Sequence, residues 1–215
     1  MIKAICFDFD GTLAQYQGDF EQLGLEVLSS MGLSYEFFPT AFQEFIKLDR
    51  SDGGRMVVDV LEHILASLKL PKSNAKSAAE LMNKVYSNDM KLLDGAKDTL
   101  ELVRHLPLAI ITNGISDMQR LAIRAVNIEN YFKTIIVSAD LDVAVRKPNK
   151  RIFEIAASRL GFQAQEILMI GNSADDIVGG QKAGFKTISF DERFSGAEYV
   201  ANHEQLCNLL IAKYL

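Results

Sequence analysis

Two aspartates stand two residues apart in Asp8-Phe9-Asp10, at the end of a short apolar run, and Gly11-Thr12 follows them. Alternate residues of an extended chain point the same way, so both carboxylates are directed at one place. Carboxylates that close repel unless a cation or a proton is shared between them. Three later segments offer groups that would complete such a site. Thr112-Asn113 brings a hydroxyl and amide donors, Lys147 brings a positive charge just before Pro148, and Asn172, Ser173, Asp175 and Asp176 add oxygens. Carboxylates, a hydroxyl, a lysine and an oxygen-rich shell suit a phosphoryl group. A shell with only oxygen ligands points to magnesium rather than to zinc or copper.

Each of these groups follows an element that would have to position it. The run Ile2 to Phe7 reads as a buried strand ending at Asp8. Leu108–Ile111 precedes Thr112, Thr134–Val137 precedes Ser138, Ile167–Ile170 precedes Gly171, and Lys186–Phe190 precedes Asp191. Between them lie amphipathic helical patterns: Met118, Leu121, Ala122, Ala125 and Val126 follow a capping Ser116, and Ile152 to Leu160 stops at Gly161. Strands alternating with helices predict an α/β fold, a parallel sheet with helices on both faces. In such sheets functional groups gather at the carboxyl ends of the strands.

From Asp19 to about Asn88 the periodicity is helical throughout. Apolar stripes begin at Phe20, Phe37, Met56 and Ala75, and breaks fall at Gly32–Ser34, Asp49–Gly54 and Leu70–Ser73. Four helices inserted after the first strand predict a small bundle seated on the sheet. The Phe stripe (Phe37, Phe38, Phe42 and Phe45) reads as helix packing rather than as an aromatic ligand box. The break after Asp49 carries Arg50 and Arg55 among glycines and is the expected substrate-facing loop. His63, His105 and His203 fall in helical patterns and are read as surface or packing residues, and Cys6 as core filling.

The 215 residues carry a formal charge of -5, which argues against nucleic acid as the main partner because no basic excess exists to neutralise phosphates. Two cysteines outside any CxxC pair fit a reducing compartment. No apolar run approaches a bilayer span, so the expected location is cytoplasmic, away from membranes.

Asp8-Phe9-Asp10-Gly11-Thr12-Leu13, Thr112-Asn113-Gly114, Lys147-Pro148 and Gly171-Asn172-Ser173-Ala174-Asp175-Asp176 resemble, in order, the four motifs of the haloacid dehalogenase superfamily. The resemblance covers the whole chain, since the helical insert looks like that family's type-one cap. It is nearest the subgroup of phosphoglycolate phosphatases, small nucleotidases and sugar phosphatases. It implies a Rossmann-like three-layer core formed by residues 1–15 and 91–215, with a four-helix cap over residues 16–90. It also implies a Mg2+-dependent phosphatase acting on a small phosphorylated metabolite. Asp8 would be the nucleophile and Asp10 the acid and base, while Thr112, Asn113 and Lys147 would bind the phosphate. The metal would be held by Asp8, Asp10, Asn172 and Asp176. Asn172 departs from the family's usual aspartate, and whether it or Asp175 fills the third ligand position stays open. A dehalogenase, a phosphomutase, or a phosphate-binding protein with weakened catalysis are the alternatives. The second aspartate, Asp10, argues against dehalogenation.

Overall fold

The computed structural model describes residues 1–215. Six parallel strands form one sheet in the order β5-β4-β1-β6-β7-β8: β1 (Ala4–Phe7), β4 (Leu108–Thr112), β5 (Thr134–Val137), β6 (Ile167–Gly171), β7 (Lys186–Phe190) and β8 (Glu198–Val200). Period-two alternation divides the strands between two cores. Ile5, Phe7, Leu108, Ile110, Leu168 and Ile170 enter the larger one, while Ala4, Cys6, Ala109, Ile111, Ile167 and Met169 enter the smaller. Nearly every residue of these strands is buried, as continuous apolar runs require when helices cover both faces.

The central strand β1 is flanked by β4 on one side and β6 on the other, with Phe7 opposite both Ile110 and Ile170. The chain runs outward from β1 to β4 and β5, then returns to β6 on the opposite side. This reversal places a switch point at the carboxyl end of β1, where the residues after β1, β4 and β6 meet.

The helices α1 (Phe20–Ser30), α2 (Phe38–Asp49), α3 (Val57–Ser67) and α4 (Ala75–Asn88) lie between β1 and β4 in sequence, matching the four apolar stripes. Asp19 caps α1, accepting from the backbone N–H groups of Glu21 and Gln22. An antiparallel ribbon, β2 (Ala14–Tyr16) with β3 (Met90–Leu92), carries the chain into and out of the bundle. The larger core continues from the sheet into the bundle through residues such as Leu61, Ile64 and Met82. The remaining helices are α5 (Ala96–Val103), α6 (Ser116–Ala125), α7 (Lys150–Leu160), α8 (Ala174–Ala183) and α9 (His203–Lys213). Helix α4 packs on α6, and α5 packs on α9. No helix is long and apolar enough to cross a membrane.

Candidate active site

Asp8 follows β1 directly, with its backbone N–H donating to the Ile170 carbonyl at 2.9 Å. Its side chain is buried, and Oδ1 accepts from the Lys147 ammonium at 2.6 Å. The same ammonium donates to Asp176 Oδ1 at 2.6 Å and to the Ile111 carbonyl at 2.8 Å. Burial, and then the neighbouring Asp176 charge, push the Asp8 carboxyl up to about 7 while Lys147 pulls it down. Lys147 is held above the ordinary lysine range by its two carboxylates, although burial alone would lower it. Asn113 ties the lysine's backbone in place. Its amide oxygen accepts from the Lys147 N–H at 2.9 Å, and its amide nitrogen donates to the Lys147 carbonyl at 3.1 Å.

Asp10 is held by two donors that the sequence did not mark. Gln119 Nε2 on α6 reaches its Oδ2 at 2.9 Å, and the Tyr86 hydroxyl on α4 reaches its Oδ1 at 3.2 Å. Burial raises the Asp10 carboxyl above the usual carboxylate range, against the lowering effect of both donors. The Thr112 hydroxyl donates to Gln119 Oε1 at 3.2 Å and so orients the glutamine that holds Asp10. Thr12 Oγ1 lies 3.3 Å from Asp8 Oδ2, and the carbonyl of Thr12 accepts from His203 Nε2 at 2.8 Å. His203 is buried, with Thr99 Oγ1 on its other ring nitrogen at 2.9 Å. It therefore braces the loop after Asp10, a more specific task than the general packing expected of it.

The oxygens around Asn172 suit a hard cation. One orientation of its amide faces the oxygen to Asp8 Oδ2 and to the Asp10 carbonyl at 3.3 Å each, acceptor against acceptor. The opposite orientation lets the nitrogen donate to both. With the nitrogen inward both acceptors are satisfied by hydrogen bonds alone; with the oxygen inward the three oxygens form a set that could ligate a hard divalent ion. Gly11 permits the close approach: it sits at φ +75°, and a Cβ there would stand 2.2 Å from Asn172 Nδ2. Asp176, expected as a ligand, is placed differently. One oxygen is taken by Lys147, and the other accepts from the Ser173 N–H at 3.1 Å and hydroxyl at 2.6 Å. With both oxygens engaged and the residue fully buried, Asp176 orients Lys147. Asp175 lies beside Arg50, Arg146 and Lys182 in a polar recess next to Lys147.

The loop after α2 lies against the core, with Arg55 N–H donating to the Ala139 carbonyl at 2.9 Å and Gly53 N–H to the Ala144 carbonyl at 3.2 Å. Arg55 folds back onto its own loop, donating to the Leu48 carbonyl and the Ser51 hydroxyl. Arg50 is exposed and faces the polar recess. Neither arginine lines the cavity that opens on Asp10. That cavity, about 490 Å3, is walled by α1, α2 and α4, and Phe38, Phe42 and Phe45 line it. Phe37, Phe38 and Phe45 pack against the larger core, as the stripe predicts, and the stripe also presents Phe38, Phe42 and Phe45 to this cavity.

A central β1 carrying paired aspartates, a lysine from a neighbouring loop and a helical bundle over the sheet's carboxyl edge define a hydrolase-type α/β enzyme. The sequence profile of haloacid dehalogenase-like hydrolases matches residues 5–190, and the chain belongs to that family. It is 31% identical over 199 residues to the pyrimidine 5'-nucleotidase YjjG of Escherichia coli (strain K12), covering 85% of this chain and 83% of that protein. It is 27% identical over 217 residues to a phosphoglycolate phosphatase of Yersinia pestis, covering 97% and 89% respectively. The crystal structure of YfnB from Bacillus subtilis, bound to magnesium, matches with a TM-score of 0.69 at 25% identity, covering 98% of this chain and 99% of that one.

Proposed function

We propose that this chain is a magnesium-dependent phosphatase that hydrolyses a small phosphomonoester through an aspartyl-phosphate on Asp8. The observation that carries the reading is the division of labour between the two aspartates. Asp8 is neutralised by Lys147 on one oxygen and faces Asn172 and Thr12 with the other, while Asp10 is held apart from that pair by Gln119 and Tyr86. The phosphatase and nucleotidase names of the relatives support it.

In the first step an Asp8 oxygen attacks phosphorus, the bond to the leaving oxygen breaks, and Asp10 gives that oxygen its proton. In the second, water attacks the phosphoryl group, Asp10 takes the water's proton, and the Asp8–phosphorus bond breaks to release phosphate. The raised Asp10 carboxyl suits the first step. Its two hydrogen-bond donors suit the carboxylate that receives the second proton. The Tyr86 hydroxyl can turn to accept when the acid is protonated. Lys147 and the backbone at Asn113 stabilise the phosphoryl oxygens as charge accumulates on them. Asp8, the Asp10 carbonyl and Asn172 would hold magnesium, which when bound supplies positive charge between two anions that otherwise repel. Residues 16–90 would act as the substrate-selecting cap over a catalytic core of 1–15 and 91–215.

The direct test is phosphate release from an aryl phosphate with magnesium and with a chelator. Activity only with magnesium supports the reading. No release under either condition contradicts it and favours a binding protein. Asp10→Asn is expected to lower kcat by about 10²–10⁴-fold, the usual contribution of an acid–base group, as steady-state assays would show. Asn172→Asp adds a charge beside Asp8 and should tighten magnesium binding roughly tenfold, since carboxylate count tunes affinity for hard cations. Calorimetric titration without substrate reads this, and an unchanged affinity would remove Asn172 from the ligand set.

A further inference from the structure

The helical bundle packs tightly in one place and leaves space in another. On α3, Val57, Val60, Leu61, Ile64 and Leu65 are all buried. On α2, which carries a comparable apolar stripe, only Ala41 is buried. Phe38 and Phe42 stack on each other with ring centroids 5.5 Å apart, yet Phe42 stays 37% exposed. Across the cavity Tyr16, Phe20 and Tyr86 form a second aromatic wall, with Tyr16 and Tyr86 stacked at 4.9 Å. Exposed aromatic faces forfeit burial that closer helices would recover. Here they enclose a cavity of about 490 Å3 that Asp10, Gly11 and Asn113 also line.

The charge inside this space is one-sided. Among its 25 lining residues there is no lysine, arginine or histidine, and the only ionisable carboxyls are Asp10 and Asp49. Burial raises the Asp49 carboxyl, against the lowering effect of Arg146, Arg50 and Arg55, none of which lines the cavity. A second anionic group on the substrate would meet Asp49 with no cation among the residues that line the cavity. A two-carbon leaving group would leave most of the volume and both aromatic walls unused.

Building on the phosphatase reading, we infer that the preferred substrate is the phosphomonoester of an uncharged alcohol with an aromatic or similarly apolar body. Asp10 meets the ester oxygen where it borders the cavity, and the body lies between the α2 phenylalanines and the Tyr16–Tyr86 pair. Asp49 accepts a hydrogen bond from any hydroxyl the alcohol carries.

The test compares ethyl phosphate, 2-phenylethyl phosphate and phosphoglycolate on the wild-type enzyme with magnesium, with acetyl phosphate as a small reactive donor. Ethyl and phenylethyl esters have closely matched leaving groups, so their ratio reports the cavity and not the chemistry. The expected kcat/KM for phenylethyl phosphate exceeds that for ethyl phosphate by roughly 100-fold or more, since even one methylene in an apolar pocket gives about 10–200-fold. Phosphoglycolate should fall below both. Equal rates for these two esters of uncharged alcohols, or a preference for phosphoglycolate, would overturn this inference while turnover of acetyl phosphate left the phosphatase reading standing. Failure to hydrolyse acetyl phosphate and to form a phosphoenzyme would overturn both.

Discussion

Asp8→Asn is expected to abolish turnover and to leave the fold intact. The amide is too weak a nucleophile to attack phosphorus, and losses on removing an enzymatic nucleophile are on the order of 10⁴–10⁶-fold in kcat. The substitution keeps the size and shape of a side chain that is 5% exposed. Lys147 retains Asp176 and the Ile111 carbonyl as partners, so no cation is stranded. Burial already disfavours the Asp8 charge, so thermal unfolding should occur at or above the wild-type temperature. A variant that unfolds earlier and loses little activity would mean that Asp8 is a structural residue.

Lys147→Met is expected to lower stability as well as activity. The lysine side chain is 3% exposed and bridges two carboxylates that are themselves buried. Removing it leaves Asp8 and Asp176 facing each other without a counter-charge, and breaking a buried pair in this way costs about 3–5 kcal/mol. The loss depends on pH in a defined sense. The folded Asp8 carboxyl stands at about 7 even with Lys147 present, above the ordinary aspartate value. A carboxyl raised on folding costs stability fully above its folded pKa, and progressively less as pH falls and the folded state takes up the proton. The deficit of the variant against wild type is therefore largest in alkaline solution and shrinks as the pH is lowered through neutrality. Urea unfolding at several pH values measures it; a deficit that grows toward acid would contradict the ion-pair account.

Much of this site was legible because it depends on residues adjacent in sequence to strong local signals. The apolar run to Phe7 fixes where Asp8 and Asp10 emerge, and similar runs deliver Thr112, Asn113 and Asn172 to the same edge of the sheet. Asp176 enters the expected metal set through the resemblance of the fourth motif. Its spacing from Ser173 is that of a capping box, and that box turns one carboxylate oxygen back onto Ser173. Gln119 and Tyr86 could not be read the same way. Both lie on helices whose stripes announce packing, and their reach to Asp10 depends on how α4 seats on α6. The ribbon of β2 and β3 has three residues in each strand, too few to show a period, and its partners are separated by the whole helical insert. The Phe stripe on α2 was recognised as apolar, but whether such a stripe meets another helix or a cavity is set by bundle geometry.

The most direct measurement is the location of phosphate in the enzyme during turnover. Mixing with radiolabelled acetyl phosphate and magnesium, quenching in acid within milliseconds and mapping the peptides should place the label on Asp8. The label should be absent from Asp8→Asn, and it should accumulate in Asp10→Asn, where the second step lacks its base. Label on another residue, or turnover with the wild-type enzyme and no phosphoenzyme at any time, would contradict the covalent mechanism.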